Sequence, residues 1–326
     1  MSGEIKGQGW TQERIVFALA VALFVIAGAG LRGFIDPNNL IAIVRSVSVL
    51  GILALGMAIV VIGRGIDLSQ VSVMAMAGAW YLQMLNNGTA DGVALLTVLA
   101  GVMAVGLANG FLIAYGDVPP IFATLASGAV VYGLVRSQFI GSETVPLPPG
   151  HWLEAVGRAR FLTVPVEVFI FAAACFLIYL FLRYTKWGRY VYLMGDSFQA
   201  ARNIGIPVRP MNLLRYVISA LLSFAAGLLT ASSLLSINTR VITSTLLYDI
   251  ILVVVIGGIG LSGGRGGVRN VVGGALLIGI MLNAMTILDI SNIYQNLIKA
   301  IILLAAIIID SLMNPRDEQT AQQGDI

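Results

Sequence analysis

One cysteine, Cys175, and one histidine, His151, occur in 326 residues. A lone cysteine excludes a disulfide within the chain, and the two residues do not resemble a metal-ligand set. Cys175 lies inside an apolar run and reads as a small packing residue. Charge is scarce as well. Asp, Glu, Lys and Arg make up 11% of the chain, whereas a soluble domain carries about 25%. There is no G-x-x-x-x-G-K-[ST] loop, so a phosphate cradle of that type is excluded. No array of acidic or histidine residues offers the relay that a proton-driven transporter needs. The net charge of +3 is spread over loops, which argues against a nucleic-acid surface.

What the chain has is hydrocarbon. Hydrophobic residues make up 58% of it, and mean hydropathy is +0.92. That much apolar surface has to face lipid. Backbone groups in lipid need internal partners, so only helices or a closed barrel can cross. The apolar runs are about 17–25 residues long with little alternation, which fits helices and not barrel strands.

An all-α membrane protein with about ten transmembrane helices is therefore expected. The predicted spans are Ile15–Phe34, Leu40–Gly63, Ile66–Leu85, Gly92–Tyr115, Pro119–Ile140, Val164–Leu182, Leu213–Ile237, Ser244–Gly260, Val268–Leu288 and Ile293–Leu312. The third begins with Asp67 and Ser69, as a partial or re-entrant helix would. The run from Ile15 is too long for a signal-peptide core of about 7–15 residues, so it reads as a retained first helix.

Residues 1–14 are expected as a cytoplasmic segment, 15–313 as the permease-like membrane domain and 314–326 as a polar, disordered cytoplasmic tail. Loop charge sets the orientation. Lys6, Arg14, Arg64, the basic residues from Arg183 to Arg215, Arg265, Arg269 and Arg316 fall on one side. Arg32, Arg136, Arg158, Arg160 and Arg240 fall on the other. The excess places both termini in the cytoplasm, 141–163 outside and 184–212 inside. Within the outer loop, His151–Gly157 is predicted as a short surface helix with Trp152 and Leu153 on one face.

Two stretches nearly repeat: Val60-Val61-Ile62-Gly63-Arg64-Gly65-Ile66-Asp67-Leu68-Ser69 and Val254-Val255-Ile256-Gly257-Gly258-Ile259-Gly260-Leu261-Ser262. Each breaks an apolar run with glycine and ends in Leu-Ser. Broken helices at matching places mark the working centre of many membrane transporters. Both breaks fall near the cytoplasmic face. That is a parallel relation, so they read as gate or hinge regions and not as an inverted duplication.

The inner loop holds a short helix signal, Gly195-Asp196-Ser197-Phe198-Gln199-Ala200-Ala201-Arg202-Asn203-Ile204-Gly205-Ile206-Pro207. Asp196 or Ser197 suits its N-cap, Gly205 its left-handed end and Pro207 its stop. Such a small-faced helix fits a groove on a soluble partner; its plain alternative is a solvated connector.

The Ala200-Ala201 pair followed by Gly205 before Ile206-Pro207 resembles the coupling segment of ABC importer permeases. Further motifs resemble the ribose-type subfamily: Arg189-Tyr190, Gly65-Ile66-Asp67-Leu68-Ser69, Pro119-Pro120-Ile121-Phe122-Ala123-Thr124-Leu125, and Val255-Ile256-Gly257-Gly258 with Leu261-Ser262-Gly263-Gly264-Arg265-Gly266. They span roughly residues 40 to 312. The resemblance implies a type II ABC importer-like permease in a bacterial inner membrane, paired with a second permease chain as homo- or heterodimer. It also implies a separate ATP-hydrolysing subunit that binds ATP and Mg, and an extracellular solute-binding protein. Cargo in the family is a monosaccharide or another small polar molecule, including nucleosides and a furanosyl signalling molecule.

The chain departs from the family pattern at Val71, Gln199, Tyr248, Ile259 and Arg269-Asn270, which leaves the cargo open. The resemblance assigns ATPase coupling to Asp196, Ser197, Gln199, Ala200, Ala201 and Gly205. Candidates for the pathway or gate are Asp67, Ser69, Asn109, Thr124, Ser127, Asn283, Gly257, Gly258 and Ser262; Ser72, Ser232, Ser233 and Thr286 are further neutral residues suited to line a path. Neutral donors and acceptors suit an uncharged hydroxylated solute, although small polar residues also serve helix packing. Candidates for binding-protein docking are His151, Trp152, Glu154 and Arg158. Arg45, Arg136, Asp249 and Lys299 are the other ionisable residues at membrane depth, and Asp249 is expected to pair with a basic residue on a neighbouring span. A stand-alone secondary transporter is the alternative from another class.

Overall fold

The computed structural model describes residues 12–313. The elements run α1 (Gln12–Gly30), α2 (Pro37–Ile62), α3 (Gln70–Asn86), α4 (Asp91–Tyr115), α5 (Pro120–Gln138), β1 (Thr144–Pro146), α6 (Trp152–Arg158), β2 (Arg160–Phe161), β3 (Val164–Pro165), α7 (Val166–Tyr184), α8 (Lys186–Asp196), α9 (Phe198–Asn203), α10 (Val208–Leu234), β4 (Ser236–Asn238), a 3-10 turn (Thr239–Thr243), α11 (Leu246–Ile256), α12 (Val268–Ile287) and α13 (Asn292–Met313). The expected N-terminal segment before Gln12 and the tail 314–326 lie outside the described residues.

Seven of these helices, α1, α2, α4, α5, α7, α10 and α12, are long and apolar enough to cross a membrane. Two predicted spans come out under 18 residues. The third starts at Gln70 instead of Ile66, because residues 63–69 leave helical geometry. The eighth ends at Ile256 instead of Gly260, after 11 residues, because glycine caps it. The tenth matches its expected bounds closely, as α13 over Asn292–Met313. Conversely, α10 begins at Val208, ahead of the expected Leu213. Pro210 sits in its first turn, where a missing N–H costs nothing, and the polar Asn212 and Arg215 are inside the helix.

The core surrounds α2. From Ile52 to Ile62 its side chains are almost wholly buried, so it is apolar on every face, as a central helix must be. α7, α10, α11 and α12 enclose it. The tightest crossing is between α4 and α10. Gly106 and Gly110 present bare backbone to α10, where a Cβ would stand 2.7 Å from Val217 Cα and 2.5 Å from Leu213 Cα. A small-xxx-small pair is the usual device for such an approach within lipid.

The two ends of the bundle differ. At one, β1 pairs antiparallel with β4, with Thr144 opposite Asn238, and α6 packs on α10 and α7. Leu153 of α6 is buried whereas Trp152 is half exposed. The two do not share a face, contrary to the sequence expectation, since consecutive helical residues point about 100° apart. At the other end lie α8, α9 and both helix breaks.

Candidate functional site at the paired helix breaks

The repeated sequence corresponds to a repeated cap. At the end of α2, Arg64 N donates to Val61 O and Gly65 N to Val60 O, both at 2.9 Å. At the end of α11, Gly258 N donates to Val255 O and Ile259 N to Val254 O, both at 3.0 Å. These are the same Schellman-type closures at equivalent positions of the two repeats. Each needs one residue in the left-handed region. The second repeat uses Gly258, φ +95°; the first uses Arg64, φ +61°.

The breaks touch. Gly264 N donates to Ile62 O at 2.7 Å. Arg64 Nε donates to Ser262 O at 2.8 Å, and the same guanidinium donates to Asp196 O at 2.9 Å. The α8–α9 loop thus joins the contact at its middle. Tyr192 on α8 adds a bond to Gly266 O at 2.7 Å, and burial holds its hydroxyl above the ordinary 10.0, protonated and able to donate. Gly195 packs directly on Ile62 O and Gly264 N, with no room for a Cβ.

Behind this surface, residues 63–69 are tied to the bundle interior. Arg215 of α10, wholly buried, donates to Val60 O at 3.2 Å, to Gly63 O and to Asn212 Oδ1. Leu68 N donates to Thr124 Oγ1 at 3.1 Å. The Asp67 carboxylate accepts from Ser69 N at 3.0 Å, Ser69 Oγ at 2.5 Å and Ser219 Oγ at 2.7 Å. A second layer points the same way: Asn109 Nδ2 donates to Ser69 Oγ at 3.0 Å, and Gln70 Nε2 to Ser219 Oγ at 2.7 Å. A buried carboxylate is tolerated when donors surround it. The cluster fixes the loop to α3, α4 and α10, with Thr124 adding α5.

Asp67, Ser69, Asn109 and Thr124 are therefore assembled at one place, buried and bonded to one another. Ser127 is nearby on α5 but donates to Thr124 O within its own helix, at 3.0 Å. Asn283 lies apart, in a reciprocal amide pair with Asn39 at 2.8 and 3.0 Å that joins α12 to α2. Gly257 caps α11, and its carbonyl accepts from Asn270 Nδ2 at 2.6 Å. Gly258 borders an open cavity of about 740 Å³ between α1, α7, α8 and the start of α12. Ser262 enters through its carbonyl alone.

On the loop predicted to couple, Ser197 caps α9 by accepting from Ala200 N at 3.2 Å, while Asp196 ends α8. Gly205 adopts φ +81° after the helix. Ala200 and Gln199 are exposed, whereas Ala201 is turned into the protein's own core. Phe198 and Ile204 expose apolar surface beside Ala200.

At the opposite end, His151 caps α6 through Leu153 N at 3.3 Å and lies 3.4 Å from Asp91. Trp152 Nε1 donates to Asp91 at 2.9 Å. Glu154 accepts from Gly150 N at 2.9 Å and pairs with Arg158 at 2.7 Å. Two ion pairs lie within the bundle: Asp249 with Lys299 at 2.8 Å, and Arg45 with the fully buried Glu167 at 3.3 Å. Among the described residues, no group of three or more His, Cys, Asp or Glu is placed to hold a metal ion.

Sequence reasoning missed Arg215, Ser219, Tyr192 and Glu167. Arg215 was available as a signal. A guanidinium eight residues into a helix that opens at Val208 needs acceptors, and a broken neighbouring helix supplies them.

A family model described as the permease component of the branched-chain amino acid transport system matches residues 39–307. The ribose import permease protein RbsC of Bacillus subtilis is 33% identical over 288 residues, 88% of this chain and 89% of that one. RbsC of Escherichia coli is 31% identical over 309 residues, 93% and 95% of the two chains. The L-arabinose transport system permease protein AraH of Escherichia coli is 32% identical over 306 residues, 93% and 92%. No solved structure gives a significant match. With the matched region running from the start of α2 into α13, the chain belongs to the permease component family of the branched-chain amino acid transport system.

Proposed function

We propose that the chain is the membrane-spanning permease subunit of an ATP-driven, binding-protein-dependent importer for a monosaccharide. The observation that carries the reading is end-to-end similarity to ribose and arabinose permeases. The helix-break junction adds a mechanism. An ATP-hydrolysing partner grips the α8–α9 loop through Phe198, Gln199, Ala200 and Ile204, and movement there reaches both breaks through Arg64 and Tyr192. The membrane core then opens and closes around a solute released by an external binding protein, which docks at the α6 and β1–β4 end. A second permease chain completes the path.

In this reading the chain crosses the membrane about ten times, with α3 and α11 as the shorter crossings. Both termini are cytoplasmic, and the breaks lie at the basic, cytoplasmic end. Asp67 and its partners hold the gate backbone, and neutral groups face the solute. Nucleotide and Mg are held by the ATPase subunit.

Deletion of the gene from its own bacterium tests the cargo. Uptake of radiolabelled ribose, arabinose or another monosaccharide is expected to fall and to return on re-expression. Unchanged uptake of every monosaccharide, with lost uptake of a nucleoside, would replace the sugar reading.

A further inference from the structure

The two caps invite a comparison the sequence repeat makes possible. A Schellman closure favours glycine at its left-handed residue, because any side chain there is strained by about 1 kcal/mol. The α11 cap follows the rule with Gly258. The α2 cap places Arg64 there instead, at φ +61°. A strained residue persists only where its surroundings hold it. The side chain shows what holds it: Nε donates to Ser262 O on the second break, and a terminal nitrogen to Asp196 O on the coupling loop. Its stem packs on Gly263, whose Cβ would stand 2.6 Å from Arg64 Cγ. Left-handed geometry aims the guanidinium out of the helix axis and across the junction.

From this we propose that Arg64 is the positioning residue that locks the first break, the second break and the coupling loop into one moving unit. It transmits displacement of the α8–α9 loop to the gate. The assignment rests on the importer reading, since it presupposes a partner that moves this loop. Arginine fits the task where lysine does not. Its planar fork reaches two carbonyls in fixed directions, and its charge strengthens both bonds. The neighbouring backbone bond, Gly264 N to Ile62 O, holds the breaks together, and the coupling loop meets it at Gly195 by packing without a hydrogen bond of its own. Tyr192 ties α8 to Gly266 but does not reach the first break. Gly195 touches both breaks by packing alone, whereas Arg64 bonds the second break and the coupling loop from its place on the first.

The test uses the intact importer, with its ATPase and binding protein, in proteoliposomes. Solute taken up is measured per ATP hydrolysed, both normalised to assembled complex. Arg64→Gly removes the guanidinium and relieves the left-handed strain, so the variant is expected to assemble. Its uptake per ATP is expected to fall by about tenfold, with hydrolysis retained. Arg64→Lys is expected to lie between, because one of two bonds survives. Loss of folding alone lowers uptake and hydrolysis together and leaves the ratio intact. An unchanged ratio in both variants, whatever the yield, would overturn the assignment. Failure of the importer reading is separable: the unmutated complex would then show no ATP-dependent uptake.

Discussion

Asp67 brings a buried carboxylate into the junction. Its carboxylate is buried with no cation beside it, and three donors from Ser69 and Ser219 stabilise it. Asp67→Asn keeps the volume but turns an acceptor into a donor facing a hydroxyl. Leaving buried polar groups unmatched costs about 1–3 kcal/mol. A lower melting temperature in detergent is expected, and an unchanged one would show that the network contributes nothing. This network was only partly legible beforehand. Asp67, Ser69, Asn109 and Thr124 stood out as polar residues in apolar runs. Nothing distinguished residues that line a path from residues that bond each other, because period and polarity are the same in both cases. Arg215 looked like a loop cation. A basic residue near a predicted helix end is usually read as solvated, and the helix in fact starts a turn and a half earlier.

At the scale of elements, α9 has two faces that sequence alone merged. Ala200 faces solvent and Ala201 faces the core. Ala200→Trp is expected to leave the melting temperature in place while abolishing co-purification of the ATPase subunit. Ala201→Trp overpacks the chain's own interior, at about 1–3 kcal/mol, and is expected to lower the melting temperature. Equal behaviour of the two variants would contradict this orientation. The α11–α13 contact offers a second check. Asp249 and Lys299 form a buried pair, supported by a bond from Lys299 to Thr245 at 2.7 Å. Removing one partner strands a charge at a cost of about 3–5 kcal/mol, whereas replacing both with apolar residues is nearly neutral. Lys299→Met is expected to lower the yield of folded protein sharply, and addition of Asp249→Leu to restore it. No rescue would show that the pair acts through separate contacts. This pairing was anticipated from composition, since lone charges at membrane depth seek one another. The shortness of α11 was not, because apolarity continues through the glycines that end the helix.

For the whole molecule, the two ends are built differently. One end is closed by a strand pair and a short capped helix, whose His151 and Trp152 both meet Asp91. The other gathers two identical helix caps, a basic loop and an arginine that joins them. The repeat in sequence is real as local chemistry, the same cap built twice, and its copies lie side by side. That arrangement suits a transmitter driven from one face, with energy supplied by another subunit. The direct measurement is transport in proteoliposomes holding this chain with its ATPase and binding protein. Sugar accumulation that requires ATP inside the ATPase-accessible compartment, and that ion gradients do not replace, is the result expected. Uptake by this chain alone, driven by an ion gradient and indifferent to ATP, would contradict the account.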